Sequence, residues 1–396
     1  MNSKKLYQRN IGKMYLFSFI ASLHFFSAVL IPFFTDWGKI SFFQIMVLQS
    51  FFTASLFFLE TPTGAVADKY GRKTSVALGT LISALGFLTY ASTPSFTIFL
   101  LGEFILALGC ALISGADESL FYDSLKEAKK EKESKKYLGR LDSITLLGIL
   151  VSAPIGSIIA ANFGLRATTA LMAVPLLLAF CIVLTIKEPN IGRNKTREES
   201  YTTVFKKGIS FFANHKILKV MALDATIVSA LIFFLIWVYQ VKLQSLGVPI
   251  VYFGFIHALI VIVQIGVLNS FSFFEKMTGS KRAFLVISAI IPGIFLIILG
   301  VTTSILLSII CIAIIAAFGL TRKTLYFNYI HKFIPSTRRA TVLSSISMLS
   351  SFSMAVNNIV MGFLVKWDLT YALIILGAVI IVLGLLSRIE EKHLKD

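Results

Sequence analysis

Charge is scarce in this chain of 396 residues: Asp, Glu, Lys and Arg together make up 14% of it. An ordinary soluble domain carries about 25%. Too little charge is present to cover a water-facing surface, which excludes a soluble enzyme and a disordered tail. Acid is scarcer than base, with 20 Asp and Glu against 37 Lys and Arg. Cysteine occurs three times, at Cys110, Cys181 and Cys311, each inside an apolar run, so a disulfide framework is not expected. The sequence has no G-x-x-x-x-G-K-[ST] phosphate loop, and therefore no visible nucleotide engine. It has no spaced set of His, Cys and carboxylates for a metal either. No enzyme chemistry and no cofactor are expected; the driving force would be an ion gradient, with protons the expected ion.

Apolar residues are what the chain has in excess: 56% are hydrophobic, and Phe alone occurs 36 times. A spanning helix needs roughly 20 apolar residues. Runs that end at charge clusters or at Gly, Pro or Asn turns read as twelve spans, at 14–35, 41–66, 74–92, 95–122, 138–161, 166–186, 217–240, 250–274, 283–301, 303–330, 338–364 and 369–387. The expected fold is an all-α membrane protein with two six-helix bundles, 1–187 and 217–396, joined by a cytoplasmic linker at 188–216. The linker is basic and partly apolar, as suits a short amphipathic helix on an anionic leaflet. The Phe-rich faces of the first two spans are expected to be mostly lipid-facing.

The net charge of +17 would suit nucleic acid in a soluble chain. Sorted by loop, it has another meaning. With the N-terminus inside, 33 of the 37 Lys and Arg fall in inner segments, and only Lys39, Arg166, Lys242 and Lys366 fall outside. Both termini are therefore expected in the cytoplasm, and nucleic acid is not an expected partner. The expected partners are the lipid bilayer and a small-molecule substrate, with the chain a monomer. The composition suits a bacterial inner membrane.

One internal repeat is visible. Asp117-Glu118-Ser119-Leu120-Phe121-Tyr122-Asp123 aligns with Arg322-Lys323-Thr324-Leu325-Tyr326-Phe327-Asn328, with the first two charges inverted. Between spans two and three the chain reads Gly64-Ala65-Val66-Ala67-Asp68-Lys69-Tyr70-Gly71-Arg72-Lys73. This resembles the loop signature G-x-x-x-D-x-x-G-R-K of the major facilitator superfamily. The resemblance implies two six-helix halves, alternating access, and a cytoplasmic latch formed by Gly64, Asp68, Gly71, Arg72 and Lys73, with Arg140 completing the cluster. The alternative is a turn plus a topology signal. In span five, Gly148 to Ser157 resembles the Gly/Pro-rich stretch of that superfamily's proton-driven drug exporters, without the glycine spacing.

Ionisable groups inside spans are expensive and point to function. The resemblance places helices one, four, seven and ten around the central cavity. His24, Glu103, Asp117, Glu118, Asp224, Arg322 and Lys323 lie on those helices. Asp117 and Glu118 are expected to face Arg322 and Lys323 as an inner gate, unless each charge merely reaches the interface. Glu103 and Asp224 are candidate proton carriers, and His24, Tyr326 and Asn328 are candidate coupling or substrate contacts. The expected function is secondary active transport of a small organic solute: proton-coupled export of an amphipathic compound first, then uptake of a charged metabolite or translocation of a lipid. A receptor that does not transport is the remote alternative.

Overall fold

In the computed structural model the described residues are 3–189, 210, 215–330, 334, 339–391 and 394. The linker expected at 188–216 lies almost wholly outside them. Nearly all described residues are helical, and each expected span falls on a helix. We number them α1 Ser3–Ala21, α2 Phe42–Tyr70, α3 Arg72–Tyr90, α4 Phe96–Glu127, α5 Ser134–Phe163, α6 Leu165–Thr185, α7 Leu218–Ser245, α8 Ile250–Leu268, α9 Lys281–Val301, α10 Ile305–Tyr326, α11 Arg339–Trp367 and α12 Leu369–Leu385. Nine of these, among the described residues, are long and apolar enough to cross a membrane. Of the other three, α1 begins with Lys4, Lys5, Arg9 and Lys13, α3 begins with Arg72 and Lys73, and α12 has 17 residues.

Several spans depart from the expected continuous helix. The first stops at Ala21 and resumes as short 3₁₀, α and π turns from Ser27 to Trp37. His24 therefore sits in an exposed non-helical break and not within a helix. α4 is interrupted at Ser114-Gly115, where Gly115 takes φ +72°, and restarts at Ala116. α10 is loosened by a π turn over Ala316–Leu320 before it tightens at Arg322. The breaks in α4 and α10 fall just before the two arms of the sequence repeat, so the repeat extends to the backbone. The eighth span ends at Leu268, and Phe271–Thr278 forms a separate short helix.

The chain divides into two compact units, one of residues 1–40, 51–198 and 249–258, the other of 41–50, 199–248 and 259–396. The main division falls inside the expected linker, but ten residues at the start of α2 (41–50) and ten around the start of α8 (249–258) belong to the opposite unit from their neighbours in sequence. In the first unit, Tyr7, Ile11, Met14, Phe17, Leu120 and Phe121 bury an inner core. Its other end packs Phe26, Phe33, Phe34, Trp37, Tyr90 and Phe99 ring against ring, with centroids 4.9–6.3 Å apart. Phe33 and Phe34 of the first span are fully buried and pack protein, not lipid, whereas Phe51, Phe57 and Phe58 of the second are exposed as expected. In the second unit, α9 and α12 meet at Gly293 and Gly377. A Cβ on Gly293 would lie 2.8 Å from the Gly377 carbonyl oxygen, so only the absence of side chains allows the two backbones this close.

Candidate functional site

The second unit holds the most deeply buried charge pair among the described residues. Arg322 begins the tight part of α10, and Asp224 lies about 9 Å into α7 from Leu218, at 1.5 Å per residue. Their side chains are 0% and 8% exposed. Arg322 Nη2 donates to Asp224 Oδ1 at 2.5 Å and to the Tyr326 hydroxyl at 3.0 Å. The Tyr326 hydroxyl donates to the same Asp224 oxygen at 2.5 Å. Arg322 Nη1 reaches the Ser288 hydroxyl on α9 at 2.5 Å and the Leu285 carbonyl. Arg322 and Tyr326 are one helical turn apart, so they present a cation and a hydroxyl to one partner. Both of these bonds to Asp224 use Oδ1, and among the described residues Arg322 Nε finds no acceptor.

A charge pair this dry is held by geometry and hydrogen bonding more than by net energy. Removal of either partner strands the other in an apolar interior. Protonation of Asp224 would break the ion pair and free Arg322 to attract another anion. The arrangement is therefore suited to exchanging a proton for a contact with a charged ligand.

Arg322 is committed to Asp224 of its own unit, because its face of α10 packs toward α7 and α9. Lys323, the next residue round the helix, is exposed. Asp117 and Glu118 occupy the first turn after the break at Gly115, where acids are favoured. There Asp117 Oδ1 accepts from the Glu118 backbone N–H at 2.8 Å. Glu103 is 2% exposed, inside the first unit's packing. Tyr326 joins the cluster, whereas the Asn328 side chain lies outside the described residues.

The loop signature is also rearranged. Arg72 pairs with Asp123 on α4 and donates to the Ser119 carbonyl at 3.1 Å. Asp68 and Arg140 are exposed and are not its partners. The Arg72 and Lys73 backbone N–H groups, unpaired at the start of α3, both donate to Glu188, each at 2.8 Å. Gly71 is at φ +96°, and a Cβ there would lie 3.1 Å from the Glu188 carboxyl. The turn at Gly71 thus makes room for an acid from the far end of its own unit. Gly64, the first residue of the signature, has open space at its Cβ position.

The second unit repeats this device. Lys281 and Arg282 N–H groups at the start of α9 donate to Glu391 Oε1 and Oε2 at 3.0 and 2.8 Å. Asp123, Glu188, Ser288 and Glu391 were not singled out by the sequence. A signal existed for two of them: each acid follows the last span of its half.

Comparison with known proteins decides the family. The family model described as Major Facilitator Superfamily matches residues 14–356. The chain belongs to the major facilitator superfamily. It is 22% identical over 366 residues to the uncharacterized MFS-type transporter YxaM of Bacillus subtilis (strain 168), covering 90% of this chain and 89% of that one. The structure of nucleoside transporter NupG is similar with a TM-score of 0.80 at 16% identity, over 97% of this chain and 98% of that chain. A D-xylose-proton symporter is similar with a TM-score of 0.75 at 11% identity, over 97% and 99%. This major facilitator protein is therefore an integral membrane secondary transporter with the superfamily's all-helical fold, and not an enzyme.

Proposed function

We propose that this major facilitator protein couples the movement of protons to that of a small organic solute, with Asp224 as the proton-carrying carboxyl and Arg322 as its counter-charge. The observation that carries this reading is the buried Asp224–Arg322–Tyr326 cluster, in which one carboxylate oxygen takes both bonds. Neutralising Asp224 leaves a fixed buried cation, which favours a solute bearing an anionic group. Uptake of an anionic metabolite is thus the preferred cargo reading. Export of an amphipathic compound is less supported, since Phe33, Phe34 and Phe99 are consumed in packing. The small-residue stretch of α5 likewise has a packing use, with Gly148 and Gly156 set against the backbone of Phe19 and Phe25.

The test is transport by purified protein in liposomes loaded with a pH-sensitive dye. Organic anions, nucleosides, peptides, sugars and amphipathic cations would each be offered under an imposed pH gradient. Solute-dependent proton movement that Asp224→Asn abolishes supports the reading. Solute flux that ignores the pH gradient and survives Asp224→Asn overturns it.

A further inference from the structure

The end of α6 is held by lysines from both helices that pack against it, α1 and α3. Lys13 of α1 donates through Nζ to the Thr185 carbonyl at 2.5 Å, and Lys73 of α3 donates through Nζ to the Leu184 carbonyl at 2.7 Å. The two acceptors are consecutive residues, so both ammonium groups lie over one helix end. Such an end carries about half a negative charge, which does not balance two cations. Neither lysine has a carboxylate partner among the described residues. Glu188 nearby is taken by the N–H groups of Arg72 and Lys73, and Asp123 by the Arg72 side chain. An ammonium has three N–H donors, so each lysine keeps two beyond its carbonyl. A third cation is held alongside. Buried Asn10 grips the Lys187 backbone, donating to its carbonyl at 2.8 Å and accepting from its N–H at 3.2 Å. The exposed Lys187 Nζ lies 5.9 Å from the Tyr7 ring centroid.

Next to this cationic end, α6 carries a bare apolar face. Val174, Leu177, Leu178, Cys181 and Leu184 are all exposed, at helical spacing. On a spanning helix such a face meets hydrocarbon. Leu184 thus offers its side chain to acyl chains and its carbonyl to Lys73. We propose that Lys13, Lys73 and Lys187 form a binding site for the phosphate of an anionic glycerophospholipid, whose chains lie along this face of α6. Phosphate complements the excess positive charge, and the spare ammonium donors satisfy its oxygens with charge-assisted bonds. Two of the lysines are already held in place by α6, so little side-chain freedom is lost when the lipid arrives. The apolar face selects a lipid over a free anion, because it covers chains that a free anion lacks. Lys132 and Lys135, beside the start of α5, carry the same charge on an exposed turn and serve as a comparison. The site is independent of the role proposed for Asp224.

The experiment is native mass spectrometry of the purified full-length protein in detergent, titrated with phosphatidylglycerol or with phosphatidylcholine. The wild-type protein should bind its first phosphatidylglycerol more tightly than phosphatidylcholine. Lys13→Gln and Lys73→Gln should each weaken that binding about fivefold, the effect of one lysine near an anionic surface, and the double variant about 25-fold. Lys132→Gln with Lys135→Gln removes as much charge and should leave the binding unchanged. Lys187→Gln cuts no bond to α6, so it keeps the test open if the other variants do not fold; it too should weaken binding about fivefold. Unchanged binding in folded Lys187→Gln and in whichever of the Lys13 and Lys73 variants fold overturns the site. Equal losses in the two double variants would mean diffuse surface charge and also overturn it, as would a wild-type protein that does not prefer phosphatidylglycerol. The chain-free headgroup glycerophosphoglycerol should fail to displace the lipid at equal concentration. Displacement would show a free-anion site and overturn the lipid reading.

Discussion

At the scale of single residues, function and stability meet at Asp224 and Arg322. Breaking a buried pair by removing one partner costs about 3–5 kcal/mol, while removing both costs much less. Asp224→Asn and Arg322→Gln should each lower the thermal midpoint in detergent, and the double variant should recover much of the loss. Additive losses would mean that the two side chains are not energetically coupled. Gly71 makes a second case. Gly71→Ala puts a Cβ at a positive φ and against Glu188, so a loss of about 1–3 kcal/mol is expected. Glu188→Ala should cost less, about 1 kcal/mol, as a cap does. The sequence showed Asp224 and Arg322 as separate oddities, on α7 and α10. It could not show their pairing, because 98 residues separate them and only packed helices bring them together. Asp117 and Glu118 looked equally promising for the reason that made Arg322 stand out: charge in an apolar run. Burial, which sequence does not display, separates them.

At the scale of elements, helix existence was legible and helix continuity was not. Long apolar runs ending in charge mark a span whatever its neighbours do. The break around His24, the interruption at Ser114-Gly115 and the π turn at Ala316–Leu320 depend on which helix packs against which. The α9–α12 seam offers an element-level test. Gly377→Val places two methyls where the Gly293 carbonyl lies. It should lower the thermal midpoint by several degrees, as a loss of about 1–3 kcal/mol would. Val379→Ala, two residues on and exposed on the outside of the same helix, should leave the midpoint nearly unchanged. Equal effects would show that the seam is not a close contact.

At the scale of the whole molecule, composition already specified a polytopic membrane protein, and the family comparison agrees. Orientation can be tested directly. In a background with Cys110, Cys181 and Cys311 replaced, Glu131→Cys should react with a membrane-impermeant maleimide only in inside-out vesicles, and Ser92→Cys only in right-side-out cells. The reverse pattern would overturn the charge-based topology. The two carboxylate clamps carry a further consequence, for the order of assembly during synthesis. Glu188 follows α6, so the first unit can seal the start of α3 while later helices are still being made. The start of α9 must wait for Glu391, after α12. Until then the second unit carries exposed amide hydrogens at that helix end, together with the unfilled apolar sockets of Ile389 and Leu394. A chain stalled or cut before Glu391 would therefore present a defect at the start of α9 even with all twelve helices inserted, where a membrane protease could distinguish it from a finished one.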